Sequence, residues 1–143
     1  MNGNKIVLDT NIISEAMSTS PNGTVSHWIS GQPGAILFTT TVSVAEILYG
    51  IELLPAGKRR SALLSSAEAV FTRLFAGRVL VFDETAARAF PALAVERRLR
   101  GRPITLFDAQ IAAIARANGA TLATRNTADF EGCGIRLVNP WVD

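Results

Sequence analysis

Cysteine and histidine each occur once in the 143 residues, at Cys133 and His27. A lone cysteine forms no internal disulfide, has no companion for a zinc site and gives no sign of an oxidising compartment. A Ser-His-Asp or Cys-His catalytic arrangement would rest on His27 alone, which sits beside Trp28 in a stretch with helical spacing. Long apolar runs are missing too: none approaches the roughly 20 residues needed to cross a bilayer. The first five residues, Met1 to Lys5, form a polar stub without the apolar segment of a signal peptide. Together these absences predict a cytoplasmic protein. Neither Gly-x-x-x-x-Gly-Lys-Ser/Thr nor Gly-x-Gly-x-x-Gly is present, which excludes nucleotide binding by those loops.

Charge of one sign is scarce as well. With 14 basic and 12 acidic residues the formal charge is +2, which permits nucleic-acid binding without indicating it. The distribution is more informative. Lys58-Arg59-Arg60 and the run Arg97-Arg98-Leu99-Arg100-Gly101-Arg102 hold half of the 14 basic residues. They read either as solvated helix ends or as a phosphate-binding patch with salt-dependent affinity.

What the chain has is apolar residue in regular patterns. A hydrophobic fraction of 48% and a mean hydropathy of +0.26 suit a filled core. A single domain over residues 1–143 is expected, long enough to bury roughly 70% of its unfolded surface. Ile6-Val7-Leu8 reads as a buried strand, followed by a short helix from Thr10 to about Met17 and another around Val25, Trp28 and Ile29. A second strand is predicted at Ala35–Thr39, then a helix carrying Val44, Ile47, Leu48 and Ile51 and ending near Pro55-Ala56-Gly57. Residues 58 to 76 read as one long helix closed by Gly77. The remaining strands fall at Val79–Phe82, Thr121–Thr124 and Ile135–Val138. Between them lie a helix from Glu84 to Leu99, with Asp83 as N-cap, and an Ala-rich helix from Leu106 to Asn118. Strands alternating with helices predict an α/β fold, a parallel sheet covered on both faces.

In such a sheet ligands bind beyond the carboxyl ends of the strands, and acids recur at those places. Asp9 follows the first strand, Glu46 lies early in the helix after the second, Asp108 opens the Ala-rich helix, and Asp129 follows the fourth strand, three residues after Asn126. Each has an ordinary structural reading. Ser43 to Glu46 and Thr105 to Asp108 have capping-box spacing, Asp9 suits an N-cap, and Asp129 suits a turn. The combination points further. Glu46 and Asp108 sit in apolar surroundings, where unpaired carboxylates are expensive, and clustered acids repel. A hard divalent cation with oxygen ligands, Mg²⁺ or Mn²⁺, would offset that cost.

The motifs Leu8-Asp9-Thr10-Asn11, Ser43-Val44-Ala45-Glu46-Ile47, Asp108-Ala109-Gln110-Ile111-Ala112-Ala113 and Thr124-Arg125-Asn126-Thr127-Ala128-Asp129-Phe130, in this order, resemble the PIN-domain ribonucleases. The closing Asn139-Pro140-Trp141 and the chain length look like the VapC/FitB branch, the toxins of bacterial type II toxin–antitoxin pairs. The resemblance covers essentially the whole chain. It implies a three-layer sandwich with a central five-stranded parallel sheet, and a metal-dependent endoribonuclease. Asp9, Glu46 and Asp108 match the three core acids. The fourth acid falls either at Asn126 or, with more weight, at Asp129. Thr10, Asn11, Ser43, Thr124 and Asn126 are similar to the polar residues that support that site. Arg97, Arg98, Arg100 and Arg102 are then candidates for flanking RNA phosphates.

The resemblance further implies a homodimer silenced by a VapB/FitA-like antitoxin, in a higher assembly whose antitoxin lays a segment along the toxin. The helices from Ser43 to Phe75, with Leu53, Leu54, Leu63 and Leu64, are the candidate groove and part of the dimer contact, ordinary core packing being the other reading. Two other classes compete: a non-catalytic RNA- or protein-binding module of PIN-like fold, and a phosphatase with Asp9 as nucleophile. Asn11 stands where the Asp-x-Asp pattern of haloacid-dehalogenase phosphatases has its second acid, which counts against the latter.

Overall fold

The central strand is β1 (Ile6–Leu8), and the chain folds outward from it on both sides. A computed structural model describes residues 4–143; the first three residues of the expected polar stub lie outside them. After β1 come α1 (Thr10–Ala16), α2 (Gly23–Ser30), β2 (Leu37–Thr40), α3 (Thr41–Glu52), α4 (Lys58–Ala69) and β3 (Val79–Leu80). The second half adds α5 (Glu84–Leu99), α6 (Leu106–Ala117), β4 (Thr121–Ala123) and β5 (Leu137–Val138). The strand order is β3-β2-β1-β4-β5 and every pairing is parallel.

Alternation along the strands sorts the core into two layers. Val7, Phe38 and Leu122 face the layer built with α5 and α6. Leu8, Leu37 and Ala123 face the layer built with α1 to α4. With both faces covered, the central strands are apolar throughout, which is why Ile6-Val7-Leu8 is legible as a run. In α6, Ala109, Ala112, Ala113 and Ala115 are fully buried beside Ile111 and Ile114. The small side chains let α5 and the sheet approach α6 closely.

Several expected boundaries move. Strand β2 begins at Leu37, because Gly34–Ile36 forms a turn of 3₁₀-helix. Helix α3 stops at Glu52, ahead of Pro55, whose ring disfavours helix in the residue before it. The outer strands β3 and β5 keep only two residues each, as they pair on one side only; Val81 and Phe82 leave the sheet and are exposed. The predicted helix over 58–76 divides into α4 and a π-helical turn at Val70–Leu74, with the Phe75 N–H donating to the Val70 carbonyl at 3.1 Å. In a regular α-helix Phe75 would lie about 80° around from buried Ala67. The wider turn brings both into the same core layer.

Every long helix after α1 begins on a side chain chosen for the purpose, except α4. Asn22 accepts from the Thr24 and Val25 N–H groups, Thr40 from Ser43, Asp83 from Ala86 and Thr105 from Asp108. Among the described residues no helix is long and apolar enough to cross a membrane.

The packing of α6 makes a direct prediction. Ile111→Ala should cost about 2–5 kcal/mol and Ala113→Leu about 1–3 kcal/mol, measured by urea denaturation. The first leaves a cavity and the second overfills a close contact.

Candidate active site

Strand β1 ends at Leu8, in register with Ala123 of β4, so the next residues of each strand, Asp9 and Thr124, emerge side by side at the carboxyl edge of the sheet. Asp9 is only 5% exposed and acts as N-cap of α1. One carboxylate oxygen, Oδ1, accepts the Thr10 N–H at 2.8 Å. The other, Oδ2, accepts the Thr124 hydroxyl at 2.8 Å and the Asn11 side-chain N–H at 3.4 Å. Three donors thus fix the orientation of a buried acid.

On the other side of β1, strand β2 leads into α3 and brings up Ser43 and Glu46. Thr10 Oγ1 lies 2.8 Å from Glu46 Oε1 and 2.9 Å from Ser43 Oγ, and Ser43 Oγ lies 3.4 Å from Thr40 Oγ1. A carboxylate only accepts, so the single Thr10 hydroxyl proton belongs to Glu46. Ser43, fully buried, then donates into Thr10 or Thr40. This relay displaces the capping-box reading of Ser43 and Glu46: the N-cap is Thr40, three residues earlier. Asp108 enters from the first turn of α6, where Thr105 caps the helix through the Asp108 N–H.

Asp9, Glu46 and Asp108 line one open cleft of about 490 Å³, with Thr10, Asn11 and Asn126. Asp129 is not on its wall. It is exposed in a 3₁₀ turn, Thr127–Phe130, its N–H donating to the Asn126 carbonyl, and it stands near enough to Asp108 to repel its charge. The pair left open by the sequence is therefore divided, with Asn126 on the cleft and Asp129 beside Asp108.

Electrostatics follow from this crowding. Burial is the largest influence on Asp9, partly offset by the Thr124 and Thr10 hydrogen bonds; the charges of Asp108 and Glu46 add to it, and the carboxyl is pushed up to about 6. Burial also raises Asp108, against the hydrogen bonding of Thr105; Asp129 raises it further and Arg97 pulls it back. Acids that feel one another across a cleft form an oxygen-rich set suited to a hard cation. Among the described residues no three acidic side chains close tightly enough to surround an ion unaided. Mg²⁺ tolerates this, because it keeps several waters and binds through one or two carboxylates.

The basic run does not act as one patch. Arg97 is 5% exposed, so its assignment as a phosphate ligand is corrected. It lies four residues after fully buried Leu93, on the inward face of α5. Its Nη1 donates to the carbonyls of Glu131 at 2.9 Å and Ala128 at 3.3 Å, tying α5 to the loop that carries Asp129. Arg102 adds a bond to Ala128 O at 3.0 Å and pairs with Glu131, while Arg100 pairs with Glu96. Arg98, Arg100 and Arg102 remain exposed.

The cleft also recruits residues that the motifs did not single out as site residues: Ser14, Glu15, Ser18, Arg125 and Trp141. The last two lie inside quoted motifs, so position in the motif was the available signal. Arg125 sits over the Trp141 ring, 4.9 Å from its centroid.

Two outcomes follow. The raised Asp9 carboxyl means the folded state holds a proton that the unfolded chain releases between about pH 4 and 6. The metal-free protein is therefore penalised as pH rises through that window, by roughly 3 kcal/mol from this group once both states are ionised. Denaturation in EDTA should show a stability slope there that Asp9→Asn flattens. Arg97→Ala should cost about 2 kcal/mol by urea denaturation, as two carbonyls lose a charged donor, and Arg97→Lys should recover only part of it.

Comparison with known proteins places this geometry in a family. A model of the PIN domain matches residues 6–132. The chain is 40% identical over 136 residues to the VapC ribonuclease Y4jK of Sinorhizobium fredii, covering 95% of this chain and 97% of that one. It is 36% identical over 138 residues to the toxin FitB of Neisseria gonorrhoeae, covering 96% and 99%. It matches the crystal structure of FitAcB from Neisseria gonorrhoeae with a TM-score of 0.89 at 35% identity, over 96% and 99% of the two chains. The chain belongs to the PIN-domain family, on the branch that holds proteins of the VapC and FitB type.

Proposed function

We propose that this chain is the toxin of a toxin–antitoxin pair and acts as a divalent-cation-dependent endoribonuclease. The observation that carries the reading is Asp9, a buried acid fixed by three donors and flanked by Glu46 and Asp108 on one cleft. A relative 40% identical over nearly the whole chain being named a ribonuclease, and another at 36% a toxin, supports the same class.

Asp9, Glu46 and Asp108 would hold Mg²⁺ or Mn²⁺, with Asp129 adding charge beside Asp108. When bound, such an ion supplies a Lewis acid that lowers the pKa of water and neutralises charge on a phosphoryl group. The protein contributes position. Thr124, Thr10 and Asn11 hold the Asp9 carboxylate in one orientation, and Thr10 does the same for Glu46. Asn126, on the cleft wall, is neutral and can donate to a phosphate oxygen where a fourth carboxylate would repel it. The phosphodiester would then lie in the cleft with a water aligned opposite its leaving oxygen.

The partner reading has its own surface. An apolar groove of about 730 Å³ runs from the cleft between α1, α3 and α4, sharing Thr10, Ser14, Ser18 and Glu46 with it. Met17, Ile47, Ile51, Leu54 and Leu63 line it, while Leu53 and Leu64, grouped with them by sequence, stand exposed outside it. A segment of an antitoxin laid in this groove would reach the acids, and a basic side chain on it would offset their charge as a cation does.

The test is RNA cleavage by the purified, antitoxin-free chain. Cleavage should require Mg²⁺ or Mn²⁺ and fall at least a hundredfold in Asp9→Asn and Asp108→Asn, both still folded by circular dichroism. Thermal melts should rise with Mg²⁺ in the parent protein and much less in Asp9→Asn. Undiminished cleavage in both variants removes these acids from the mechanism. RNA binding without turnover would make the chain a binding module instead.

A further inference from the structure

The charged residues of the cleft wall are acidic apart from one. Among the residues that line it, Arg125 is the one cation and Trp141 the one aromatic, and the guanidinium lies over the ring. Their position is enforced through the backbone. The Arg125 N–H donates to Asn11 Oδ1 at 3.3 Å, and Asn11 also donates to Asp9. The Arg125 carbonyl accepts from Asn139 Nδ2 at 3.3 Å, and Asn139 Oδ1 accepts the Trp141 N–H at 2.9 Å. One asparagine therefore sets Arg125 and Trp141 against each other, and a second ties Arg125 to the acid at the centre of the site. Trp141 is half-buried against the core, whereas Arg125 is exposed. Among the described residues the Arg125 guanidinium has no hydrogen bond or ion pair, although Glu15 lines the same cleft.

This is an unusual use of a free arginine. A guanidinium lying over an indole is held without spending its donors, and its fork matches a phosphate. Bases unstacked from a single strand lie on aromatic rings and on guanidinium planes, whereas bases in a duplex are already stacked on their neighbours. A phosphodiester brought to the acids is repelled by them, and Arg125 supplies a positive charge on the same wall.

We propose that Arg125 and Trp141 form a nucleotide subsite of the cleft, in which the guanidinium takes a phosphate next to the bond to be cut and the pair takes an unstacked base. The proposal rests on the nuclease reading above for the words "bond to be cut", while its binding claim stands on the subsite alone. It places phosphate contact on Arg125 rather than on the buried Arg97.

The test separates binding from chemistry. A fluorescein-labelled single-stranded oligoribonucleotide, and the same sequence in a duplex, are titrated into the non-cleaving Asp9→Asn protein. The single strand should bind well above the duplex. On that background, Trp141→Ala should weaken binding about tenfold and Trp141→Phe much less. Arg125→Gln should weaken it and lower the salt slope by about one, and Arg125→Lys should restore the slope but not the full affinity. Unlabelled strand should quench tryptophan fluorescence in the Asp9→Asn protein and not in its Trp141→Phe version, a readout independent of whether Trp141→Ala stays folded. In the active protein the Arg125 and Trp141 variants should raise KM more than they lower kcat.

Unchanged affinity, quenching and KM in Trp141→Phe, Trp141→Ala and Arg125→Gln would overturn the subsite, as would duplex bound as tightly as single strand. RNA cleaved with an unaltered KM in these variants sinks the subsite and leaves the nuclease. RNA bound with the stated dependences but never cut in Mg²⁺ sinks the nuclease and leaves the subsite.

Discussion

Placing Asp9 in the protein interior is the constraint on which the rest of the site depends. A carboxylate removed from water needs donors, and here three come from two separate parts of the chain: the Thr10 N–H and the Asn11 side chain at the start of α1, and the Thr124 hydroxyl that follows β4. These donors meet only if β1 and β4 are neighbours in parallel register, with Leu8 opposite Ala123. The sheet order is thus part of the site's electrostatics. Even with three hydrogen bonds, burial dominates and the carboxyl stays raised. A second and third acid on the same cleft increase the imbalance, and only an added positive charge removes it. The free domain holds this imbalance in its native state, which fits a site built to receive a cation or a basic group.

The small polar residues around Asp9 are specified by proton counting rather than by size alone. Thr10, Ser43 and Thr40 form a chain in which each hydroxyl has one proton to give, and the chain ends on Glu46. Valine at position 10 would keep the shape and leave Glu46 without its donor. Behind the acids, Arg97 has the opposite task. Its Nη1 holds two backbone carbonyls and its charge moderates Asp108, so it fixes the turn from Asn126 to Glu131, and burial keeps it from a ligand.

What could be read from the sequence divides along the same lines. The buried strand at Ile6–Leu8, the caps at Asp83 and Thr105 and the Ala-rich α6 are local patterns, and local patterns are legible. The acids of the cleft were legible because they follow strands in order. Asn126 against Asp129 was not, since three residues of a 3₁₀ turn decide which of them reaches the cleft wall. The π turn at Val70–Leu74 escaped because apolar spacing is read against a 3.6-residue period that the turn itself breaks. The arginine run was misread as a unit because adjacent residues on a helix face different ways. Its i+4 spacing from Leu93 marks Arg97 as the inward member.

The contrast between two arginines sharpens what charge does in this fold. Arg97 and Arg125 carry the same group, and each lies close to the acids. Arg97 is enclosed, so its field reaches Asp108 through protein and is weakly screened, but its guanidinium is shut away from the cleft, with Nη1 bonded to two carbonyls and Nε buried without a partner. Arg125 is open to solvent, so its field is screened, but its donors are free and its guanidinium lies over the Trp141 ring. The first arrangement can tune and position an acid and cannot bind a substrate. The second can bind a substrate and does little to an acid at rest. A cleft that must repel nothing it needs, yet keep its acids poised, requires both kinds. Net charge conceals this, since a chain with 14 basic and 12 acidic residues looks nearly neutral while its cleft carries four acids and one cation.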